Sequence, residues 1–248
     1  MGKKIDTKKL KKEWVDLSAP WIKEAREGRN SHREGLLDEY MLQACGDVKG
    51  LKILDSGCGE GRFCRMLAKK GADYVLGIDL STPMIKAARE IKIDGVEYKV
   101  ADVQKLDFLK NNSFDIVVSY LNQCDLPNFE KNNSEMFRIL KKGGLFVVAN
   151  LHPMRSARGG WKKDSKGNKE YAAIDNYFDE SERHWNMLDV DFTNFHRTLS
   201  TYINSFLNVG FLVQKVIEPT VSKKNLEKYP ELKDELRVPN FIIYLLKK

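Results

Sequence analysis

Cysteine is scarce in this sequence and long apolar runs are missing, and each shortage excludes a class of protein. The four cysteines fit no CxxC pair, zinc ribbon or disulfide framework, so we expect reduced thiols and no metal site. No apolar run approaches the roughly 18 residues that cross a bilayer, and the N-terminus has no apolar signal segment. We therefore expect a cytoplasmic protein without a membrane partner.

Charged residues, by contrast, are abundant and carry a positive excess. Asp, Glu, Lys and Arg make up 31% of the chain, and the formal net charge is +7. This excess permits binding to nucleic acid but does not demonstrate it. Much of it comes from lysines near the N-terminus, which we interpret as a solvated, partly frayed segment. These lysines are Lys3, Lys4, Lys8, Lys9, Lys11 and Lys12.

Short strand-like segments alternate with amphipathic helical segments from Lys52 onward. Strands that alternate with crossover helices predict a doubly wound α/β fold, in which helices cover both faces of a mostly parallel sheet. Gly143 and Gly144 are predicted to form a turn between a helix and the fifth strand. The predicted strands cover residues 53–54, 74–78, 96–100, 114–118, 145–149, 211–217 and 241–246.

Two regions lie outside this alternation, although we predict one domain over residues 1–248. Residues 1–47 form a predicted N-terminal helical cap, in which Pro20 and the polar stretch 28–31 separate two or three helices. Residues 153–195 are polar and aromatic and contain Gly159 and Gly160. Because a structureless loop of that length is uncommon, we expect an inserted lid or substrate element with its own structure.

A glycine-rich segment, Asp55-Ser56-Gly57-Cys58-Gly59-Glu60-Gly61, follows the first predicted strand. Glycine lets the backbone turn sharply and approach a ligand without a Cβ clash. Such turns lie at the carboxyl edge of a parallel sheet, where α/β folds bind ligands. The GxGxG spacing differs from the GxGxxG spacing of nicotinamide-dinucleotide enzymes. The loop therefore predicts a nucleotide-like ligand of another kind.

Two acidic residues narrow the choice of ligand. Asp79 ends the second predicted strand, and its carboxylate can accept hydrogen bonds from both hydroxyls of a ribose. Asp102 ends the third strand and can accept from an adenine amino group, while the backbone N–H of Val103 donates to the ring. With no Lys or Arg inside the glycine loop, these residues favour an adenine nucleoside such as S-adenosylmethionine over a pyrophosphate.

Five successive segments resemble the motifs of class I, Rossmann-like S-adenosylmethionine-dependent methyltransferases of the small-molecule type. They are ILDSGCGEGRF, VLGIDLSTPMIKAARE, YKVADVQKL, FDIVVSYL and ILKKGGLFVV. The resemblance is continuous from about Val48 to Leu151 and resumes more loosely at HRTLSTYINSFLNVGFLVQKVIEP. It implies S-adenosylmethionine as cofactor, S-adenosylhomocysteine as product, and a seven-stranded sheet of order 3-2-1-4-5-7-6 with the seventh strand antiparallel.

The resemblance also implies a cofactor site, when the motifs are transferred residue by residue. The glycine loop would line the methionine part, Leu80 and Met84 would flank the adenine, and Arg33 would bind the carboxylate. Asp55 is also compatible with a structural role in the loop, and Met84 with a place in the core. The implied cofactor-binding residues are Arg33, Asp55, Gly57, Cys58, Gly59, Asp79, Leu80, Met84, Asp102, Val103, Tyr120 and Leu121.

Three residues are candidates for catalysis. His152 follows the fifth strand at the carboxyl edge, His196 lies after the predicted insert, and Tyr120 ends the fourth strand. Each also has a structural interpretation, because a single histidine or tyrosine is more often part of a core. A general base is needed only if the acceptor must lose a proton.

The acceptor is expected to be a small molecule methylated at O, N or C. The fourth strand is followed by Leu121-Asn122-Gln123 and lacks the Asn/Asp-Pro-Pro-Tyr motif of enzymes that methylate adenine or glutamine amides. Cytosine C5 enzymes have a proline before their catalytic cysteine, and Cys124 has none. Two alternatives stay open. An RNA (tRNA) methyltransferase would have lysines around the mouth of its site, whereas a regulatory protein would bind S-adenosylmethionine without transferring its methyl group. The sequence leaves the oligomeric state open.

Overall fold

A seven-stranded sheet forms the centre of the protein in the computed structural model, which describes residues 7–248. In chain order the strands are β1 (Lys52–Ser56), β2 (Tyr74–Asp79), β3 (Val96–Val100), β4 (Phe114–Tyr120), β5 (Leu140–Leu151), β6 (Arg158–Lys163), β7 (Lys169–Ile174), β8 (Glu182–Met187), β9 (Val190–Phe195), β10 (Leu212–Ile217) and β11 (Phe241–Lys247).

The helices cover both faces of the sheet and the edge where the parallel strands end. They are α1 (Thr7–Arg26), α2 (Asp38–Cys45), α3 (Arg62–Lys69), α4 (Thr82–Glu90), α5 (Phe129–Ile139), α6 (Pro153–Ser156), α7 (Leu199–Val209) and α8 (Lys223–Lys228). Three shorter helical turns complete the list: a π-helix at Arg33–Leu37 and 3₁₀ helices at Gln123–Asp125 and Pro230–Leu236.

The sheet has the strand order β3-β2-β1-β4-β5-β11-β10. Of these seven strands, β11 alone runs antiparallel to its neighbours β5 and β10. The predicted order 3-2-1-4-5-7-6 is therefore confirmed. Side chains alternate between the two faces, so that Ile53 and Leu54, adjacent in β1, belong to two different buried clusters. Burial on both faces explains why the inner strands β2 and β11 are almost continuously apolar, whereas the edge strands β3 and β10 are largely exposed.

The N-terminal region differs from the prediction at Pro20. This residue lies inside the single helix α1 and does not divide it. A proline in a helix interior removes a hydrogen bond and costs about 3 kcal/mol. Leu17 is fully buried, and the hydroxyl of Ser18 lies 2.8 Å from that of Ser81 at the start of α4. These tertiary contacts accompany a helix that continues through Pro20. Of the lysine-rich segment, Lys3 and Lys4 lie outside the described residues.

The fifth strand begins earlier than predicted. β5 starts at Leu140, directly after α5, whereas Gly143 and Gly144 were expected to form a turn before it. Phe114 of β4 pairs with Leu140 and Ile116 pairs with Leu145, so the intervening residues bulge out of the ladder. Gly143 adopts a φ of 75° within this bulge, which explains the glycine without ending the strand.

Residues 153–195 form α6 followed by two separate antiparallel hairpins, β6–β7 and β8–β9. The second hairpin contacts α1: the backbone N–H of Thr193 donates to Glu13 at 2.9 Å, and the ring centroids of Trp14 and Phe192 lie 6.1 Å apart. The division of the chain into a cap, a core and an insert stays a prediction. Within residues 7–248, no helix is long and apolar enough to cross a membrane.

Candidate active site

The turn between β1 and α3 lies at the carboxyl edge of the sheet and is shaped by glycine. The backbone N–H groups of Gly57 and Cys58 donate to the carbonyl of Ile78 at 2.8 and 3.0 Å, which fixes the loop against the end of β2. Gly57 has a φ of 82°, and a Cβ atom there would lie 2.3 Å from Cγ of Asn122. Only glycine satisfies both the backbone conformation and this close approach.

Asp79 holds the same loop from the end of β2. Its carboxylate accepts the backbone N–H of Gly59 at 2.9 Å and that of Ser81 at 2.8 Å. Burial raises the pKa of Asp79, and these hydrogen bonds oppose that shift. The carboxylate is therefore fixed in place at the edge of the pocket, and its remaining lone pairs can accept further hydrogen bonds.

Asp55 lies beneath the loop and is only partly satisfied. Sγ of Cys64 donates to Oδ2 at 3.2 Å, whereas Oδ1 is buried without a hydrogen-bond partner in the described part of the chain. Burial is the main reason that the pKa of Asp55 rises to about 6, and the thiol and the nearby Arg33 oppose the rise. A cationic ligand group beside Oδ1 would relieve this cost.

Arg33 begins the π-helical turn and projects into the pocket. Its guanidinium carbon lies 5.0 Å from the ring centroid of Trp21 and 4.8 Å from that of Tyr120, so the charge is stacked between two aromatic rings. Nε is buried without a hydrogen-bond partner among residues 7–248. Burial lowers the pKa of Arg33. Single π-helical turns often occur at functional sites, and this one orients an unsatisfied cation toward the pocket.

Tyr120 belongs to a second polar group next to Arg33. Its hydroxyl donates to Oδ1 of Asp38 at 2.9 Å, and the two terminal nitrogens of Arg62 bind the same carboxylate at 2.6 and 2.7 Å. Burial, together with Asp38, raises the pKa of Tyr120 well above its ordinary value. The phenol therefore stays protonated, and its O–H group is already engaged in the hydrogen bond to Asp38.

The segment after β4 contributes a carboxyl that the sequence analysis missed. Asp125 ends the short 3₁₀ helix Gln123–Asp125 and lines the pocket beside Asn122. Burial is the largest influence on Asp125 and raises its pKa to about 8. The only sequence signal for this residue was its position, five residues beyond the end of β4, because burial is a property of the fold.

Helix α1 covers the pocket. Leu10, Trp14, Trp21 and Ala25 lie on one face of α1, as their spacing along the helix requires, and all four line the pocket. The rings of Trp14 and Trp21 meet edge to face at 6.3 Å. The sequence predicted a helix here but not which face was buried or against what.

The pocket encloses about 1240 Å³ of space, counted out to its open mouth. All twelve residues predicted to bind the cofactor lie in its wall, and six acidic side chains and two arginines line it without a lysine among the described residues. The acidic side chains are Glu34, Asp55, Glu60, Asp79, Asp102 and Asp125, and the arginines are Arg33 and Arg62. The lining is therefore acidic in a protein whose net charge is +7.

Comparisons with known proteins agree with this geometry. The methyltransferase domain family matches residues 54–148. A structure of an S-adenosylmethionine-dependent methyltransferase from Mesorhizobium loti is 34% identical, with 85% of this chain and 96% of that chain covered and a TM-score of 0.77. A protein from Listeria monocytogenes described in the same way is 32% identical, with 85% and 95% covered and a TM-score of 0.76. The chain belongs to the class I S-adenosylmethionine-dependent methyltransferases.

Membership confirms methyl transfer as the activity and S-adenosylmethionine as the cofactor. Among curated relatives, a fatty-acid O-methyltransferase from Mycolicibacterium smegmatis is 32% identical over 126 residues. That match covers 47% of this methyltransferase and 45% of the relative, so it leaves the regions outside the shared core unmatched.

The pocket of the methyltransferase suits this cofactor. Four of its side chains keep a buried polar atom without a hydrogen-bond partner in residues 7–248: Nε of Arg33, Oδ1 of Asp55, Oε1 of Glu60 and Oδ1 of Asn122. A buried unsatisfied group costs roughly 1–3 kcal/mol, so these atoms indicate a ligand with both donors and acceptors. S-Adenosylmethionine has an ammonium, a carboxylate and two ribose hydroxyls.

The two histidines predicted to be catalytic lie outside the lining of the pocket in this methyltransferase. Nδ1 of His152 accepts the backbone N–H of Met154 at 3.1 Å, and its Nε2 lies 3.0 Å from Glu218. His196 lies 2.6 Å from the hydroxyl of Ser156 through Nδ1 and is buried. Burial lowers the pKa of both histidines. Both imidazole rings are therefore engaged in hydrogen bonds within the protein.

Proposed function

We propose that this methyltransferase transfers the methyl group of S-adenosylmethionine to an O, N or C atom of a small molecule bound beneath α1. The observation that carries the proposal is the lining of the pocket, which is acidic and aromatic and lacks lysine in the described chain. Such a lining suits a neutral or cationic organic acceptor. It disfavours a polyanion, because carboxylates repel phosphate groups.

The cofactor would occupy the inner part of the pocket, along the carboxyl edge of the sheet. Asp79 would accept the ribose hydroxyls, and Asp102 with the backbone of Val103 would bind the adenine. The glycine loop would contact the methionine part, Arg33 its carboxylate and Asp55 its ammonium. The buried unpaired atoms of Arg33 and Asp55 support this assignment. S-Adenosylmethionine supplies a methyl group on a positively charged sulfur, and the protein supplies alignment and a water-poor site.

The acceptor would enter between α1 and the loop that follows β4. Trp14 and Leu10 on one side and Leu126 and Pro127 on the other give this part of the wall a largely apolar surface. Aromatic and aliphatic walls with a few polar groups are typical of small-molecule sites. The fatty-acid O-methyltransferase from Mycolicibacterium smegmatis, 32% identical over the shared region, has a small-molecule substrate according to its name.

The insert 153–195 would influence the acceptor through α1. Its residues do not line the pocket within the described chain, but Glu13 and Trp14 on α1 contact Thr193 and Phe192 of the β8–β9 hairpin. We therefore propose that this hairpin sets the position of the helix that covers the acceptor. An insert that supports a lid is consistent with the aromatic composition of this segment.

An RNA acceptor is the main alternative, and it would need a basic surface around the pocket. It requires lysines or arginines at the mouth of the pocket, since phosphate contacts dominate RNA affinity. On α1, which covers the pocket, Lys12 lies 2.5 Å from Asp16 and Lys9 lies 3.5 Å from Glu13. Two lysines of the basic N-terminal segment are therefore engaged in ion pairs within the protein.

A labelling experiment tests the proposed function. The purified enzyme is incubated with S-adenosylmethionine that carries a tritiated methyl group, together with either a protein-free small-molecule extract or bulk tRNA. We expect label in organic-soluble or chromatographically small products and background label in tRNA. The Asp79→Ala variant, which would lose ribose binding, serves as the cofactor-binding control. Label that enters tRNA in preference to the extract, and that falls steeply with salt, would show that the acceptor is RNA.

A further inference from the structure

We propose that Asp125 is the catalytic proton acceptor of this methyltransferase and takes the proton of a hydroxyl or amine acceptor during methyl transfer. The proposal rests on the function proposed above, because the acceptor must be a small molecule that brings a removable proton into the pocket. Among the other pocket carboxyls, Glu34 accepts the hydroxyl of Tyr229 at 3.2 Å and Glu60 accepts Arg65 at 2.6 Å, so neither is as free of hydrogen bonds as Asp125.

The position of Asp125 carries the argument. It lies in the pocket wall, and its chain neighbours Asn122 and Leu126 line the same pocket. Within residues 7–248, its carboxyl has one hydrogen bond, a long contact of 3.6 Å from Sγ of Cys124 to Oδ1. A thiol at that distance is a weak donor. The carboxyl therefore lines the pocket and keeps acceptor capacity for a ligand.

Among residues 7–248, no charged group around Asp125 forms a direct ion pair with it. After burial, the groups that influence it most are the Cys124 thiol, Arg33, Asp79 and Arg197. Arg197 donates to the carbonyl of Leu126 at 2.6 Å and thereby fixes the backbone beside Asp125. Arg33 is stacked on two aromatic rings. Burial consequently dominates, and with a pKa of about 8 the carboxyl holds its proton at neutral pH in the cofactor-free pocket.

A bound cation changes this balance. S-Adenosylmethionine has a net positive charge, and Asp125 interacts electrostatically with both Arg33 and Asp79, which are proposed to hold the carboxylate and the ribose of that molecule. A nearby positive charge favours the ionised form of a carboxyl. Cofactor binding would therefore release the proton of Asp125 and leave a carboxylate ready to accept another. A base whose pKa lies close to the working pH is the most effective one.

Asp125 then accounts for the proton that the acceptor loses during methyl transfer. Methyl transfer forms a bond between the acceptor oxygen or nitrogen and the methyl carbon, while the carbon–sulfur bond breaks and leaves its electron pair on sulfur. The proton of the acceptor passes to a carboxylate oxygen of Asp125. It leaves for solvent through the mouth of the pocket after the products depart.

The other titratable groups of the pocket are less suited to this role. Asp79 already accepts two backbone N–H groups, and Asp55 lies beneath the glycine loop with one oxygen bound to Cys64. The hydroxyl of Tyr120 donates a hydrogen bond to Asp38, and the pKa of Tyr120 is raised. Asp102 is exposed, lies where the adenine is proposed to bind, and accepts the backbone N–H of Gln104 at 2.9 Å.

Calorimetry with two ligands tests the ionisation of Asp125 without any acceptor. S-Adenosylmethionine and S-adenosylhomocysteine share every ionisable group and differ in the charge on sulfur. Titrations at pH 7 in buffers of different ionisation enthalpy give the number of protons released by each ligand. We expect the sulfonium ligand to release about one proton more than the thioether ligand in the wild-type protein. In Asp125→Asn this difference should vanish, whereas Asp107→Asn, which changes an exposed carboxylate, should retain it.

The variants keep this test interpretable. Asn has the shape of a protonated Asp, the form expected in the cofactor-free protein, so Asp125→Asn should fold. Asp125→Glu keeps a carboxyl in the pocket and should restore part of the difference in proton release. Equal proton release by the two ligands in the wild-type protein, or an undiminished difference in Asp125→Asn, would overturn the proposal.

Methyl transfer gives the second readout. At saturating S-adenosylmethionine, Asp125→Asn should reduce label transfer to the small-molecule extract by roughly 10²–10⁴-fold, and Asp125→Glu by less. Rates equal to wild type in Asp125→Asn would remove Asp125 from the chemistry. If the wild-type enzyme labels no small molecule at all, the proposed acceptor class fails, and the proton-release difference shows separately whether Asp125 ionises.

Discussion

The guanidinium of Arg33 lies 4.8 Å from the ring centroid of Tyr120, and its Nε is buried without a hydrogen-bond partner among the described residues. The stacking replaces part of the solvation that burial removes, but it leaves hydrogen-bonding capacity unused. A buried cation in this state costs stability unless a ligand satisfies it. The arrangement is therefore suited to a carboxylate that arrives with the cofactor.

Arg33→Met should weaken binding of S-adenosylmethionine by roughly 10–100-fold, because one charge-assisted hydrogen bond contributes about 1.5–3 kcal/mol. Methionine keeps much of the packing between Trp21 and Tyr120, so the unfolding free energy should stay constant or rise. Isothermal titration calorimetry and urea unfolding measure the two quantities. Arg29→Met, at an exposed arginine that pairs with Glu27, is the control. Unchanged cofactor affinity in Arg33→Met would contradict the assigned role.

Gly57→Ala should abolish measurable cofactor binding and destabilise the protein more than Gly50→Ala does. Both glycines have a positive φ, 82° and 73°, so both substitutions carry a similar backbone cost of about 1 kcal/mol. A Cβ at Gly57 would lie 2.3 Å from Asn122, whereas a Cβ at Gly50 meets no atom within 4 Å. The clash should add roughly 1–3 kcal/mol. Equal unfolding free energies in urea would show that Asn122 moves aside at little cost.

The sheet and its ligand-binding edge could be predicted because their signals are local. Alternating apolar strands and amphipathic helices fix the fold class, and Asp55, Asp79 and Asp102 each lie at or just beyond the end of a strand, so their positions at one edge follow from the topology. The confirmed strand order β3-β2-β1-β4-β5-β11-β10 brings β1 and β2 together, and the glycine loop with them.

The buried face of α1 and the burial of Asp125 could not be predicted, because both depend on tertiary structure. Glu13 and Thr193 are in contact although they are 180 positions apart, and the sequence of α1 does not reveal that contact. The raised pKa of Asp125 results from burial. His152 follows β5 at the expected edge, but its backbone N–H donates to Asn240 beside β11. Neither residue is among those that line the pocket in the described chain.

The cofactor-free protein should lose stability as the pH rises from about 4 to about 8. Burial raises the pKa of Asp55 to about 6 and that of Asp125 to about 8, both from 3.8. The folded state therefore holds protons that the unfolded chain has already released. The associated stability is complete below the unfolded pKa and is lost as the pH rises through the folded pKa.

Each of these carboxyls contributes at most about 1.4 kcal/mol per pH unit within its window. Urea unfolding at several pH values measures the slope of unfolding free energy against pH. Asp125→Asn should remove the slope that these two groups cause between about pH 6 and pH 8 and roughly halve it between about pH 4 and pH 6, where Asp55 contributes the rest. Asp107→Asn, at an exposed carboxylate, should leave both windows unchanged. A wild-type protein whose stability rises steadily over this range would contradict the buried, protonated state of both groups.

The β8–β9 hairpin should stabilise α1 over the pocket, although it does not line the pocket itself. Phe192 packs edge to face on Trp14 at 6.1 Å, a contact that contributes about 0.5–1.5 kcal/mol. Phe192→Ala should therefore accelerate amide hydrogen exchange in residues 8–26 by a few-fold to about tenfold. Tyr171→Ala removes an aromatic ring that is 59% exposed on the other hairpin and should leave this exchange unchanged. If Phe192→Ala leaves exchange in α1 at the wild-type rate, the hairpin does not hold the helix. The insert would then have to influence the acceptor by another route.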